Sequence, residues 1–411
     1  MSALQPAKTR HQGCAMNRIL FLKNPVLDYA WGSKTAIAEL LGESSPSKGP
    51  QAELWMGAHP KASSTVVWEG KPHPLPDLIA RYPDQILGTA AATRFGACLP
   101  YLFKVLAAAE PLSIQAHPDR NQARQGFERE NKMGIALDAP ERNYRDDNHK
   151  PECICALTRF WGLNGFRDIK DMLDYFDRLE VSSLDDEQAL LRRGDLKTFF
   201  ESLMTMDTVR KKRVTAEVGD LARVVEADDP VFRWISSLQR RYPADVGILA
   251  PIFLNLVCLR PGQAMFLEAG ELHAYLEGTG IELMANSDNV LRGGLTTKHV
   301  DVPELLRVLN FESRQLDLLE PEPVGASERV FPSRAEEFVL SVIDVKDGDS
   351  HESQKDRSAE ILLCTAGRLN LIEEGGHRSM VARGASFLVP AAAPAYRISG
   401  DGTLYKASVP T

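Results

Sequence analysis

The feature that most constrains the fold of this chain is its hydrophobic period, which changes twice. From Met16 to Arg167, short apolar runs are broken by Gly, Pro, Asn and Asp, which is typical of a strand-rich domain with helices on its margin. From Asp168 to about Asp245 the apolar spacing becomes helical, and after Pro251 the strand-like runs return. The chain is therefore predicted to be mainly β with a helical insertion.

Three windows in the insertion have apolar residues at i, i+3, i+4 and i+7 and predict amphipathic helices: residues 169–176, 196–203 and 231–238. Between the second and third windows lies a positively charged stretch, residues 209–213. A binding patch and a solvated helix face both fit this stretch, and surface statistics favour the solvated face.

The end of the chain repeats the rhythm of an earlier segment. Residues 384–390, followed by Tyr396, resemble residues 262–267 followed by Tyr275. The later copy has alanines and proline where the earlier one has Glu271 and His273. Duplication of a β unit and two unrelated strand–turn–strand units both explain the similarity.

We predict four segments from these changes in pattern. Residues 1–15 form a disordered extension, and residues 16–167 with 250–320 form the β domain that carries the candidate site. Residues 168–249 form the helical insertion, and residues 321–411 form a C-terminal β domain.

Composition excludes several classes of function. The chain has 48 Lys and Arg against 56 Asp and Glu, and its net charge of −8 argues against a large nucleic-acid interface. No apolar run approaches the roughly 18 residues of a membrane span, and residues 1–15 lack the apolar core of a signal peptide. Six cysteines with no CxxC pair suit a reducing compartment. We expect a cytoplasmic protein with a small-molecule partner.

Two polar stripes are candidates for a site. Alternate residues of a strand share a face, so Ser113, Gln115 and His117 are expected to point one way while the residues between them pack in the core. The same alternation places Glu271, His273 and Tyr275 together. An amphipathic edge strand facing water is the alternative for the first stripe.

A third cluster, Asn148 to Glu152, precedes a strongly apolar run, so the carboxylate of Glu152 lies at the entrance of a buried strand and needs a partner. Two imidazoles, a carboxylate and an amide oxygen form a ligand set suited to Zn²⁺. Spacing alone does not show that these three strands converge, so the metal site is a hypothesis at this point.

The segment from Ile281 to His299 has a cation on each side of a Gly-Gly pair. Arg292 and Lys298, with exposed backbone N–H groups between them, suit an anion such as phosphate. A surface turn with solvated charges is the alternative. A helix is predicted to follow, with Asp301 as N-cap and Glu304 three residues later.

Taken together, five motifs resemble a known family. These are Tyr29-Ala-Trp-Gly32, Ala52-Glu-Leu-Trp-Met-Gly57, residues 112–119 (LSIQAHPD), residues 148–152 (NHKPE) and residues 286–298. From about residue 18 to 310 the chain resembles the type I mannose-6-phosphate isomerases, or phosphomannose isomerases, and its tail resembles their second barrel more loosely. The resemblance implies cupin (jelly-roll) barrels with a helical domain.

The resemblance also implies a function and a site. It implies a zinc enzyme that interconverts mannose 6-phosphate and fructose 6-phosphate by proton transfer between C1 and C2, supplying mannose and GDP-mannose metabolism, with one Zn²⁺ per monomeric chain. The implied zinc ligands are Gln115, His117, Glu152 and His273. The implied substrate-facing residues are Ser113, Lys150, Tyr275, Glu282, Arg292 and Lys298.

The proton carrier is not fixed by the sequence. His149, Lys150, Glu282 and Asp288 are the candidates for work near C1 and C2, and Arg292 is placed with them as a catalytic residue. A base must be unprotonated at the working pH, so we favour Glu282 or His149, with Lys150 stabilising the developing enediolate oxygen.

Particular residues argue against three other functions. A non-catalytic sugar-binding cupin would need neither base nor phosphate clamp, and Lys150, Glu282 and Arg292 argue against it. An Fe²⁺ oxygenase is disfavoured by Gln115 in place of a third histidine. A fused nucleotidyltransferase is disfavoured because no Gly-rich nucleotide loop stands at the N-terminus.

Overall fold

The structure is a computed structural model that describes residues 16–227 and 229–410; the extension predicted for residues 1–15 lies outside the described residues. Its α-helices are α1 Ala36–Leu41, α2 Leu75–Arg81, α3 Pro83–Leu87, α4 Thr89–Phe95, α5 Arg120–Lys132, α6 Ile169–Leu179, α7 Asp185–Arg192, α8 Leu196–Thr205, α9 Thr208–Val225, α10 Pro230–Arg241, α11 Ala250–Phe253 and α12 Val302–Val308. A short 3₁₀ helix, Val246–Leu249, precedes α11.

The strands occur on both sides of the helical region, as the change of period predicts. They are β1 Leu20–Lys23, β2 Val26–Leu27, β3 Glu53–Gly57, β4 Thr65–Trp68, β5 Lys71–Pro74, β6 Tyr101–Ala108, β7 Ile114–Ala116, β8 Glu152–Ala156, β9 Phe160–Phe166, β10 Leu254–Leu259, β11 Ala264–Leu267, β12 His273–Ala285, β13 Leu291–Gly294, β14 Glu322–Pro323, β15 Glu328–Val330, β16 Val339–Val345, β17 Ser350–Glu352, β18 Glu360–Glu373, β19 Arg378–Ala382, β20 Ser386–Val389 and β21 Tyr396–Ser408.

Strand β12 organises the first sheet. It pairs antiparallel with β6, β7, β8 and β9, and a register shift between Tyr275 and Glu277 divides its 13 residues into two parts. One part pairs mainly with β7 and β9, and the other pairs with β6 and β8. Side chains from four neighbouring strands therefore surround one long strand.

The second sheet contains strands from both ends of the chain. Its path runs β14-β15-β16-β21-β18-β20-β1-β4-β5. Where the strands from the two ends of the chain meet, Leu20 of β1 pairs with Leu388 of β20. Strands β1, β4 and β5 thus belong to the predicted 16–167 segment of the sequence but extend the sheet that the C-terminal segment forms. The sequence could not reveal this pairing, since apolar periodicity marks a strand but not its partner.

A shared core joins the two sheets. The faces of β6, β8 and β12 that carry Phe103, Cys155 and Leu283 pack against Ile361 and Leu388 of the second sheet. Tyr101 adds a polar link, because its buried hydroxyl donates to the backbone oxygen of Ala407 at 3.0 Å.

The three helices predicted in the insertion are confirmed and correspond to α6, α8 and α10. Their apolar faces meet in one core that includes Phe176, Phe199 and Ile235. The charged stretch at residues 209–213 lies in the first turns of α9, where most of its side chains are exposed, as the solvated-face interpretation expects. The N-cap of α12 is also confirmed, since Asp301 accepts from the backbone N–H of Glu304.

Among residues 16–227 and 229–410, no helix combines the length and the apolar character that a membrane crossing requires.

The similarity between the two segments of the sequence extends to strand register. In the first sheet, Leu267 at the end of β11 lies opposite Glu152 at the start of β8. In the second sheet, Val389 at the end of β20 lies opposite Glu360 at the start of β18. Glu360 therefore occupies the register position that Glu152 occupies in the first sheet, which supports the duplication interpretation.

The link between the sheets yields a stability prediction. Tyr101→Phe removes the buried hydroxyl that bonds Ala407, so unfolding should become easier by about 1–2 kcal/mol. Urea denaturation measures this as a lower midpoint. Tyr82→Phe is the control, because Tyr82 is half-buried and its hydroxyl makes no hydrogen bond with the described residues. Equal midpoints for Tyr101→Phe and the unchanged protein would contradict the prediction.

Candidate metal centre and active site

Three side chains with metal-binding chemistry converge where β7, β8 and β12 meet. His117 follows β7, Glu152 begins β8 and His273 begins β12. The Nε2 atom of His117 lies 3.4 Å from Oε1 of Glu152, and Nε2 of His273 lies 3.6 Å from its Oε2. The three ligand atoms are all within 4.8 Å of one another, and all three side chains are buried. The structure thus supplies the convergence that spacing could not show.

Backbone contacts aim both imidazoles at this point. Nδ1 of His117 lies 2.7 Å from the backbone oxygen of Asn289, and Nδ1 of His273 lies 3.0 Å from that of Glu271. A proton on Nδ1 satisfies each of these oxygens and leaves the Nε2 lone pair directed at Glu152. Both Nε2 atoms and Oε2 of Glu152 are buried without a hydrogen-bond partner. Buried polar atoms without partners are costly, so this set fits a divalent cation.

Electrostatics keep the ligand atoms in their metal-binding forms. Burial lowers the pKa of His273 to about 3, helped by His117, and burial likewise lowers the pKa of His117. Burial alone would raise the pKa of Glu152, but Lys150, with Nζ 2.7 Å from Oε1, and the two imidazoles hold it well below its usual value. Neutral imidazoles and an ionised carboxylate are the species that bind metals.

A cleft with a volume of about 700 Å³ opens beside this cluster. Eight of the residues predicted from the sequence line it: Ser113, Gln115, Lys150, Glu152, Tyr275, Glu282, Arg292 and Lys298. Gln115 pairs in register with His273 on one side and with Arg292 on the other. The structure places its amide beside the cluster, and its role as a fourth ligand stays a prediction.

A buried row of charges crosses the floor of the cleft. Lys104 of β6 lies directly opposite Glu282 of β12, with Nζ 2.7 Å from Oε2, and 3.9 Å from Oε1 of Glu53. Burial alone would lower the pKa of Lys104, but the carboxylates of Glu282 and Glu53 raise it. Burial raises the pKa of Glu282, and Glu152 and Glu53 add to the rise against Lys104. Carboxyl groups with such raised pKa values are able to take up and release protons.

Positive charge lies at another part of the same cleft, which Arg292 and Lys298 line, with Arg145 nearby. Partial burial lowers the pKa values of Arg292 and Lys298, and the charge of Arg145 lowers both further. Within the described part of the chain, no carboxylate lies within 4.0 Å of any of these three cations. Three adjacent positive charges without counter-ions suit an anionic ligand group.

His149 and Asp288 do not line the cleft. His149 precedes Lys150, and its Nε2 lies 2.7 Å from Oε1 of Glu337, which comes just before β16 of the second sheet. Asp288 pairs with Lys61 at 2.8 Å and lies 3.7 Å from Nε2 of His59. This placement favours Glu282 over His149 as the proton carrier.

The sequence assigned no site role to several other cleft residues: Tyr29, Trp31, Glu53, Trp55, Lys104, Arg241 and Tyr242. The first four of these lie in motifs that carry the family resemblance. One feature of the sequence could have identified Lys104: it is the only charged residue in the apolar run that forms β6, whose eight residues are all buried. Tyr29 and Trp31 stack at the cleft with ring centroids 5.7 Å apart. Arg241 and Tyr242 come from the end of α10, a position that no local pattern connects to the site.

The comparison of the two sheets shows what replaces the cluster in the second one. Glu360, at the position equivalent to Glu152, accepts from the Tyr396 hydroxyl at 3.0 Å and from Lys406 at 3.2 Å. The repeat seen in the sequence does not include Glu360, so the sequence did not reveal this carboxylate as the counterpart of Glu152. No group of three metal-type ligands is found there among the residues described.

The fold and the site together define a class: a two-sheet β protein in which a buried metal-type cluster shares a cleft with a site for a small anion. Comparison with known proteins gives the family. Residues 19–169 match the model for the catalytic domain of phosphomannose isomerase type I. Residues 327–409 match the model for the cupin domain of mannose-6-phosphate isomerase.

Individual relatives match nearly the whole chain. The mannose-6-phosphate isomerase of Escherichia coli (strain K12) is 42% identical over 389 residues, covering 93% of this chain and 97% of the relative. A crystal structure of a mutant phosphomannose isomerase from Salmonella typhimurium is 39% identical with a TM-score of 0.89, covering 96% of this chain and 100% of that one. A zinc-bound mannose 6-phosphate isomerase structure has the same coverage, identity and TM-score.

This chain belongs to the type I phosphomannose isomerase family. The predicted fold class, cupin β barrels with an α-helical region, is confirmed by the matching cupin model and by the structural similarity along the chain.

The cluster yields a prediction about metal content. His273→Ala removes one of two imidazoles, so bound divalent metal should fall well below one per chain when elemental analysis is made on the purified protein. His351→Ala is a matched control, because His351 is also buried with an unpartnered Nε2 but lies in the second sheet. Full metal content in His273→Ala would show that the metal is held elsewhere. An equal loss in both variants would show that the metal is lost through general destabilisation and not through removal of a ligand.

Proposed function

We propose that this chain is a zinc-dependent isomerase that interconverts D-mannose 6-phosphate and D-fructose 6-phosphate. The observation that carries the proposal is one cleft that is lined by Glu152 of the metal-type cluster, by a buried carboxyl group with a raised pKa, and by two cations without counter-ions among the described residues, Arg292 and Lys298. Membership of the family and the zinc-bound relative support both the reaction and the metal.

His117, Glu152 and His273 fit the metal, with Gln115 beside them as the candidate fourth ligand. When bound, zinc supplies a positive charge that polarises the sugar oxygens next to C1 and C2. The two oxygens of Glu152 have different partners. Lys150 contacts Oε1, while Oε2 has no hydrogen-bond partner and is the oxygen that would bind the ion.

The proton that moves between C1 and C2 needs a carrier of this chain. We assign that role to Glu282, because its carboxyl lines the cleft, is buried, and has a raised pKa. Lys104, bonded to Glu282, holds the carboxylate in position during the transfer. Lys150 also lines the cleft, and its ammonium group stabilises the developing enediolate oxygen.

The anionic end of the sugar phosphate is assigned to Arg292 and Lys298, with Ser113 and Tyr275 contributing hydroxyl groups. The Tyr275 hydroxyl is buried without a hydrogen-bond partner, so a substrate hydroxyl group would satisfy it. Anchoring the phosphate orients the reacting carbons through contacts remote from them.

The proposal extends to the cellular compartment, the partner and the pathway. The described cysteines are all free thiols, which suits a reducing cytoplasm. The acidic net charge agrees with a small sugar phosphate as partner rather than nucleic acid. Action as a monomer and supply of GDP-mannose synthesis follow from the family resemblance alone.

The proposed function predicts a metal-dependent isomerase. A coupled assay that detects fructose 6-phosphate from mannose 6-phosphate should show activity that disappears on chelation and returns with zinc, in proportion to the metal content measured in parallel. Binding of mannose 6-phosphate without turnover would instead identify a non-catalytic sugar-binding cupin. Activity that survives complete removal of metal would contradict the zinc assignment.

The proton carrier yields a separate prediction. Glu282→Gln keeps the shape of the side chain but removes the proton acceptor, so kcat should fall by about 10²–10⁴-fold while KM changes little. Incorporation of solvent deuterium into the product should fall in step. His149→Asn is the comparison variant, since His149 does not line the cleft. If His149→Asn abolishes turnover with zinc still bound and Glu282→Gln does not, His149 is the carrier.

A further inference from the structure

The helical insertion contacts the cleft through the segment that follows α10. We call residues 242–247 the linking segment and residues 292–298 the cation loop. Residues from both line the same cleft, among them Tyr242 from the linking segment and Arg292 and Lys298 from the cation loop. The linking segment and the cation loop are in close contact, and the proposed reaction does not itself require this contact.

Glycines allow this close approach. A Cβ atom on Gly247 would lie 2.9 Å from the backbone nitrogen of Leu295, and one on Gly294 would lie 3.2 Å from the Cα of Gly247. Both distances are shorter than ordinary van der Waals contacts of a side chain. The backbone of the linking segment therefore packs directly against the backbone of the cation loop.

One side chain bonds the two backbones together. Asp245 accepts from the backbone N–H of Gly247 at 2.7 Å through Oδ1, and from the backbone N–H of Thr296 at 3.2 Å through Oδ2. The first bond begins the 3₁₀ helix, and the second reaches 51 residues along the chain into the cation loop. A carboxylate that accepts from two backbone N–H groups forms charge-assisted bonds stronger than neutral ones.

The residue next to this bond has an unfavourable backbone conformation. Leu295 has a φ of +53°, in the left-handed region that residues with a side chain rarely adopt. Such a conformation persists only when its surroundings impose it. The buried side chain of Leu295 and the Asp245–Thr296 bond are the contacts that hold it.

The conformation of Leu295 decides where the rest of the loop points. Thr296 follows it, and the Thr296 hydroxyl oxygen accepts from the backbone N–H of Lys298 at 3.1 Å. Thr296, Thr297 and Lys298 all line the cleft. The Asp245 carboxylate is thus two hydrogen bonds away from the backbone of Lys298.

The linking segment is itself held by the helices. The Tyr242 N–H donates to Leu238 of α10 at 2.7 Å, and the buried Thr215 hydroxyl of α9 donates to the backbone oxygen of Pro243 at 2.7 Å. The backbone N–H of Asp245 donates to Tyr242 at 3.1 Å. Asp245 is therefore fixed relative to the helical core rather than to the cleft.

We propose that Asp245 is a positioning residue that sets the affinity of the cleft for phosphate by holding the cation loop in its strained conformation. It does so without lining the cleft. The proposal rests on the proposed function for the identity of the anion, and it gives the helical insertion a role in recognising the phosphorylated end of the substrate.

The test compares Asp245→Ala with the unchanged holoenzyme. KM for mannose 6-phosphate should rise about tenfold, because the loop relaxes and Lys298 leaves its position, while kcat stays within about twofold. The inhibition constant of inorganic phosphate should rise by the same factor, and the zinc content should not change. Asp245→Asn keeps one acceptor oxygen and should give a smaller rise.

Two further variants complete the test. Asp195→Ala is the matched control, because exposed Asp195 also accepts a backbone N–H, that of Thr198, at the start of a helix in the insertion, but lies outside the cleft and its loops. It should lower thermal stability and leave KM unchanged. Arg292→Ala, which removes a cation of the cleft, should raise KM and the phosphate inhibition constant more than Asp245→Ala does.

Two results would overturn the proposal. If Asp245→Ala lowers only thermal stability, as Asp195→Ala does, its role is confined to the 3₁₀ helix. If kcat falls while KM and the phosphate constant do not change, Asp245 acts on the chemical step instead. Phosphate binding measured by calorimetry needs no turnover, so a protein without isomerase activity would refute the proposed function while this measurement still tests the role of Asp245.

Discussion

The burial of Glu152 between two imidazoles is the constraint on which the rest of the site depends. An ionised carboxylate at this depth is unfavourable unless positive charge and hydrogen bonds compensate it. Lys150 contacts Oε1, which also lies 3.4 Å from Nε2 of His117, and Oε2 lies 3.6 Å from Nε2 of His273. Two backbone oxygens orient those rings, so the sheet supplies a nearly complete shell for a cation before any cation binds.

A second consequence of the sheet is the separation of charge within one cleft. The buried floor carries the row of Glu53, Lys104 and Glu282, in which carboxylates outnumber the ammonium group. The cation loop carries Arg292 and Lys298, which come from residues after β12. A phosphorylated sugar has one strongly anionic end and one end where protons are exchanged. This distribution of charge therefore orients such a ligand before specific contacts form.

The second sheet shows the same backbone arrangement without the metal chemistry. Glu360 stands in the register position of Glu152, but Lys406 and the Tyr396 hydroxyl satisfy its oxygens. A fixed ammonium group in this position compensates the carboxylate permanently, so no cation is required. The β unit is thus compatible with either solution, and a few side chains decide which one is present.

The sequence by itself determined the β–helix–β order, three of the insertion helices, the cap of α12 and the residue types of the site. Each of these depends on the spacing of residues that are close together in the chain. The sequence also carried the motifs of the family, and with them most of the residues that line the cleft. Only the tertiary structure decided that β1 extends the C-terminal sheet, that Lys104 faces Glu282, that His149 turns to Glu337, and that Asp245 holds Thr296. These are contacts between distant segments, and periodicity shows which face of a strand is buried but not which partner it meets there.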